Sequence, residues 1–326
     1  MTRTKWQPYL YLAPAALLLL VFSIYPLIHT LDMSLHVKWG KPAQEFVGLQ
    51  NYKNLLHDEE FSQALGVSIW YVLGTVPVAL FLSFLIANIL FQKLRARGMF
   101  RTIYFLPYVT STVAAAMVFR WIFAPDSAGL ANAVLLRLAG LVNTVASWFG
   151  AGPFHISPQR WFLESTGVFQ LLAEGLGVHW PAWAAGPSLA LVCIILFSIW
   201  HALGFDVVIF LAGLSAIPRE MYEAAQVDGA GALERLRHIT FPLLSPTLFF
   251  LTVISVIRSF QTFNQIYVLT REQSVGTTQN LTMLIFNQFY DGANIGAATA
   301  TAVVLFLILL GLTAFQMRVL GPRVHY

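Results

Sequence analysis

Six apolar stretches, at about 10 to 32, 66 to 91, 102 to 124, 187 to 213, 243 to 268 and 295 to 317, are each long enough to cross a lipid bilayer. A hydrocarbon core about 30 Å thick takes roughly 20 apolar helical residues. Within it an isolated strand or loop would leave backbone polar groups without partners. The pattern predicts an all-α membrane protein with six transmembrane helices. Composition agrees, at 57% hydrophobic and 10% charged, against about half and about a quarter in soluble domains.

Six crossings put both termini on one side, and Lys and Arg retained in cytoplasmic segments say which. With the N-terminus inside, the cytoplasmic set is Arg3, Lys5, Lys93, Arg95, Arg97, Arg101, Arg219, Arg235, Arg237, Arg318 and Arg323. The outer set is Lys38, Lys41, Lys53, Arg137, Arg160 and Arg271. Both termini are thus expected in the cytoplasm. The net charge of +4 reads as topology, not as a nucleic-acid footprint, since no basic stripe alternates with exposed aromatics. The first span exceeds a signal-peptide core and lacks a small-residue cleavage site, so it is expected to stay as helix one.

Between the spans, Phe46-Val47-Gly48-Leu49-Gln50-Asn51-Tyr52 reads as a turn entering a short interfacial helix, and 92 to 101 as a basic hairpin. Residues 125 to 186 form the longest outer segment. A loop of that length without structure is uncommon, so short helices lying on the outer surface are expected. They serve either as a packing cap or as a docking face for an external binding protein. The chain divides into 1–65, the first helix and outer loop, and a core at 66–326. The lone Cys193 excludes a disulfide within the chain, and no metal-ligand spacing is present. Gly40-Lys41 runs into Pro42 and lacks the hydroxyl that would ligand magnesium in a phosphate-binding loop.

The segment between spans four and five, 214–242, differs from an ordinary solvated loop. Pro218 favours a helix start, and Glu220 and Glu223 near that end suit the helix dipole. Ala224 and Ala225 keep one face small enough to enter a cleft. Asp228-Gly229 provides a stop that permits positive φ. A second short helix is expected at Ala232 to His238, with Pro242 and Pro246 marking the return to the bilayer.

These residues, Glu223-Ala224-Ala225, then Gly229, then Ile239-Thr240-Phe241-Pro242, resemble the signature of the permease subunits of bacterial binding-protein-dependent ABC importers. The longer match, Ile217-Pro218 through Tyr222 to Asp228-Gly229-Ala230, is similar to the carbohydrate branch, of maltose, trehalose and glycerol-3-phosphate type. Phe100-Arg101 with Phe105-Leu106-Pro107, and Arg120-Trp121 with Phe123 and Pro125, extend the likeness along the chain. It departs in a longer 125 to 186 segment and in Arg258, where a small or aromatic residue is common. The resemblance implies a type I permease fold with a cytoplasmic coupling helix between helices 4 and 5. ATP and Mg would be bound by a partner ATPase, with no cofactor in this chain. It further implies two ATPase subunits, a second homologous permease, an external solute-binding protein and residence in the bacterial inner membrane. Coupling falls to Glu223, Ala224, Ala225, Asp228, Gly229 and Pro242.

Polar groups inside spans are costly and tend to face a cavity or a partner. In span five Ser255, Arg258, Ser259 and Thr262 share one helical face, and in span four Ser198, His201 and Phe205 share another, with Trp200 beside them. Hydroxyls, imidazole, guanidinium and aromatic rings suit a hydroxyl-rich ligand, although Ser and Thr in spans also bond their own backbone. Arg258 could pair with Asp206, meet the partner permease, or attract an anionic ligand. Expected substrates are sugars or glycosides, with glycerol-3-phosphate or glycerophosphodiesters as the alternative. A secondary transporter, the competing class, would show broken helices in two repeated halves, and neither is visible in the sequence. No catalytic set is recognisable.

Overall fold

The computed structural model describes residues 7–37, 45–92, 97–126, 129–148, 157–175, 185–270, 276–290, 292 and 294–324. Much of the basic hairpin and the middle of the 125 to 186 segment lie outside these, as do Arg3, Lys5, Lys38, Gly40-Lys41 and Arg271. In chain order the first elements are α1 (Gln7–Leu19), α2 (Tyr25–Ser34), β1 (His36–Val37), β2 (Glu45–Phe46), α3 (Gln50–Leu56), α4 (Glu59–Phe91), α5 (Arg97–Val109) and α6 (Thr112–Ile122). There follow α7 (Leu130–Trp148), α8 (Val168–Gly175), α9 (Leu189–Ala216), α10 (Arg219–Val227), α11 (Ala232–Arg235), α12 (Phe241–Phe260), α13 (Asn264–Thr270), α14 (Leu281–Tyr290) and α15 (Ile295–Leu320). The chain forms two compact units, residues 1–62 with 281–310, and residues 63–280 with 311–326.

Five apolar helices occupy expected spans: Tyr9–Ser34, Glu59–Phe91, Leu189–Ala216, Ala232–Phe260 and Ile295–Leu320. The other expected span, 102 to 124, is broken, its two halves α5 and α6 meeting at 95°. Pro107 removes a helical donor near the end of α5, and the β-branched and hydroxyl run Val109-Thr110-Ser111-Thr112 disfavours continuing. Thr110 Oγ1 bonds back to Leu106 O at 2.8 Å, and Ser111, at ψ 123°, leads into α6. The 125 to 186 segment holds a longer helix than expected. Its α7 is 19 residues, apolar and long enough to cross a membrane.

Two helices pass through π turns, Leu20–Ile24 and Leu236–Thr240, and each turn ends two residues before a proline, Pro26 or Pro242. A proline ring collides with the carbonyl four residues back, and one widened turn relieves that crowding. Pro242 therefore does not break the chain's return to the bilayer. Residues 232–260 run as one 29-residue helix, not as a separate short helix followed by a turn.

In the first unit, Asn51 Nδ2 donates to the carbonyls of Ser34 (2.8 Å) and His36 (3.0 Å), and the Tyr52 hydroxyl lies 2.6 Å from Ser34 Oγ. These bonds hold α3 against the end of α2. Thr301 Oγ1 donates to Gln288 Oε1 at 2.8 Å, tying α14 to α15.

In the second unit, α9 is the central element, with Leu191, Ile194, Phe197, Phe210 and Leu214 almost wholly buried. Ser188 Oγ accepts from Leu191 N at 3.1 Å to start it. Ile217, held extended at ψ 124° before Pro218, ends it. The α5 helix approaches α9 closely at Gly204, where a Cβ would meet Tyr108 Cβ at 2.8 Å and Tyr104 O at 3.0 Å. The same contact brings the end of α5 against His201 and Phe205.

Candidate functional site

Helix α10 stands at the surface between α9 and α12. Pro218 is its N-cap, and Glu220 lies in its first turn. It ends in a Schellman pair: Ala230 N donates to Ala225 O at 2.8 Å and Gly229 N to Gln226 O at 3.1 Å. That closure requires the φ of +80° seen at Gly229. Glu234 Oε2 then accepts from Gly231 N at 2.8 Å, opening the next helix.

Glu223, Ala224, Asp228 and Gly229 are exposed and Ala225 is partly so. Two apolar side chains flank them in the open, Val227 at 88% and Leu233 at 75% exposure. Behind the helix, Tyr222 Oη lies 3.0 Å from the buried Thr240 Oγ1, which ties α10 to the base of the 232–260 helix. A cleft of about 1060 Å³ opens there, with Asn88, Gln92, Arg219, Gln226 and Arg235 on its walls. Pro242 lies beneath, at the start of α12.

The substrate-path candidates separate into two groups. Arg258, His201 and Phe205 come together: the Arg258 guanidinium carbon is 4.1 Å from the Phe205 ring centre. Two residues that the sequence did not single out complete this cluster, and both flank the break between α5 and α6. Tyr108 lies 5.3 Å from Phe205, 6.1 Å from His201 and 5.9 Å from the Arg258 guanidinium, ring centres taken throughout. Thr112 Oγ1 is 3.2 Å from His201 Nε2. Pro107 followed by four β-branched or hydroxyl residues is the signal that would have found them, since broken helices line polar sites in transporters.

Arg258 itself is exposed. It does not pair with Asp206: among the described residues the one ion pair within 4.0 Å joins His36 to Asp32. Asp206 is 2% exposed, and its Oδ2 has no hydrogen-bond partner there. The guanidinium lies instead on the ring of the preceding residue, a cation-π contact.

Ser198 and Thr262 belong to a second, buried group. Tyr71, 1% exposed, donates to Ser198 Oγ at 2.8 Å. The hydroxyl of Thr262 and Nε2 of Gln265 approach the Tyr71 oxygen at 3.3 and 3.2 Å. Asn280 Nδ2 donates to Thr262 O at 2.6 Å. This knot joins α4, α9 and the turn after α12. Ser259 is buried, Ser255 half-buried, and Trp200 packs on Phe119 and Phe197, ring centres 5.0 and 6.0 Å away. No group of three or more metal-ligating side chains occurs among the described residues.

Apolar helices, one broken beside a polar cluster, and a protruding short helix joined to a long one define a multi-pass membrane transport subunit. The chain belongs to the family of binding-protein-dependent transport system inner membrane components, whose sequence profile matches residues 76–326. It is 32% identical to the arabinooligosaccharides transport system permease protein AraP of Bacillus subtilis, over 97% of this chain and 89% of that one. Identity is 28% to the sn-glycerol-3-phosphate transport system permease protein UgpA of Agrobacterium fabrum, over 99% and 97%. The trehalose/maltose transport system permease protein MalF of Thermococcus litoralis is 29% identical, over 95% and 92%. A solved bacterial ABC transporter for import of the acidic polysaccharide alginate shares the fold, with a TM-score of 0.69 over 97% of this chain and 96% of that one, at 22% identity.

Proposed function

We propose that this chain forms half of the translocation path of an ATP-driven importer and is moved from the cytoplasm by a separate ATPase. In this reading ATP and Mg bind to two partner ATPase subunits. A second homologous permease supplies the other half of the path, and an external solute-binding protein delivers the ligand. The chain resides in the bacterial inner membrane with both termini in the cytoplasm. The α5–α6 break supplies one feature expected of an ATP-independent secondary transporter, but family membership favours the importer.

The observation that carries the proposal is the bond between Tyr222 and Thr240. It makes α10 part of the lever that ends at Arg258, roughly 27 Å along the helix at 1.5 Å per residue. Displacing the exposed face of α10 displaces the polar cluster. Coupling is assigned to Glu223, Ala224, Ala225, Asp228 and Gly229 on that face, with Pro242 at the start of the lever.

The substrate is a sugar or glycoside. Aromatic faces at Phe205 and Tyr108 suit sugar rings, donors at His201 and Arg258 suit sugar oxygens, and the relatives named for oligosaccharides support the same class. An anionic ligand of glycerol-3-phosphate type is the second reading. It is favoured by the exposed Arg258 guanidinium with no carboxylate within 4.0 Å among the described residues. The test is co-expression with the partner permease, ATPase and solute-binding protein, purification, and calorimetry of that binding protein against a panel of sugars and phosphodiesters. Co-purification of an ATPase and a sugar-loaded binding protein supports the proposal. A chain that transports alone contradicts it.

A further inference from the structure

Helix α7 presents three stripes. Asn132, Leu135, Ala139, Asn143 and Ala146 face inward, with Asn132 and Ala139 buried and the others partly so. Val134, Leu138, Leu141, Val145 and Trp148, spaced four, three, four and three apart, form an exposed apolar stripe, and Trp148 is 77% exposed. Arg137, Gly140, Thr144 and Ser147 form an exposed polar stripe alongside.

The first turn is pinned to the chain that leaves α6. Asn132, fully buried, directs Nδ2 at the carbonyls of Ala124, Asp126 and Gln159, each at 3.1 Å. Its Oδ1 accepts from Gln159 N at 2.9 Å and Trp161 Nε1 at 3.0 Å. Helix α7 thus begins beside the end of α6, one half of the broken span. By length it could cross the bilayer from there. Crossing would leave Arg137, exposed and two residues from the helix midpoint, in hydrocarbon, where a charge facing lipid is strongly disfavoured. Lying flat puts the apolar stripe among acyl chains, Arg137 and Thr144 among headgroups, and Trp148 in the interfacial zone that aromatic rings favour.

We infer that α7 is an in-plane amphipathic helix whose partner is the bilayer surface, and not a seventh crossing. The leaflet, the outer one, rests on the topology proposed above. An additional crossing before α9 would move α10 to the opposite side, so the flat placement keeps the coupling helix on the side of the N-terminus.

The test uses the complete complex in phosphatidylethanolamine–phosphatidylglycerol vesicles, with Cys193→Ala and single replacements Leu138→Cys, Leu141→Cys, Val145→Cys and Thr144→Cys carrying nitroxide labels. All four sites are exposed, so the labels need not disturb packing. Collision with oxygen and with a water-soluble nickel chelate should put 138, 141 and 145 at one shallow depth, about 5–10 Å below the headgroups, and leave 144 open to nickel. Depth that changes steadily along the helix, or exclusion of both reagents by a covering protein, would overturn the inference. Sidedness is read separately with a membrane-impermeant thiol reagent. Thr144→Cys should react from outside and Asp228→Cys only from the cytoplasmic side. Reaction of both from one face would refute the topology while the depth profile still stood for the flat helix.

Discussion

The Tyr222 hydroxyl lies 3.0 Å from Thr240 Oγ1, joining the short exposed helix to the long one that passes beneath it. If this contact transmits motion, losing it must loosen the drive without unfolding either helix. Tyr222→Phe keeps the ring and deletes one bond worth about 1 kcal/mol, roughly fivefold in an equilibrium. Substrate-stimulated ATP hydrolysis by the assembled complex should fall by about that factor, with expression and assembly unchanged.

Arg258 over Phe205 is a contact of about 0.5–2 kcal/mol, larger where water is excluded. Phe205→Leu should free the guanidinium and weaken neutral-sugar uptake by up to about tenfold, measured in proteoliposomes. Arg258→Ala separates the two ligand classes. Loss of phosphorylated but not neutral substrate uptake would assign the anionic reading, whereas equal loss of both would make Arg258 part of the path itself.

The sequence made five apolar helices and the short helix α10 readable because each depends on local signals: apolar length for the spans, Pro218, Glu220 and Gly229 for α10. The break at 110–111 escaped because the two halves have continuous apolar character, and a proline such as Pro107 does not by itself end a membrane helix. Tyr108 and Thr112 were missed with it. Spacing put Ser198 and His201 on one helix face, but it could not tell that Tyr71, more than a hundred positions away, would draw the serine into a separate buried group. The π turn before Pro242 was hidden for a related reason: a proline signals relief of crowding, and the widened turn and the break read alike. In α7 the stripes were present in the residues, but the anchoring of its first turn was not, since it rests on Asn132 meeting Ala124 and Gln159.

Tyr71 holds the buried knot, and Tyr71→Phe removes its hydroxyl while leaving Ser198, Thr262 and Gln265 without that partner. Stability should drop by about 1–3 kcal/mol, seen as a midpoint several degrees lower in thermal denaturation of the detergent-purified complex. Uptake at moderate temperature should change little, since the cluster at Arg258 is built from other residues.

Gly229 offers the most direct measurement of the central claim, that a neighbouring ATPase works this gate through α10. Its φ of +80° is strained for a β-branched residue, and nothing lies within 4 Å of a Cβ built there, so Gly229→Val acts on the turn alone. In proteoliposomes holding permease pair, ATPase and binding protein, the native complex should take up substrate only with ATP inside. The Gly229→Val complex should assemble yet lose most uptake and most substrate-stimulated hydrolysis. Uptake without ATP, or a Gly229→Val complex as active as the native one, would contradict the account.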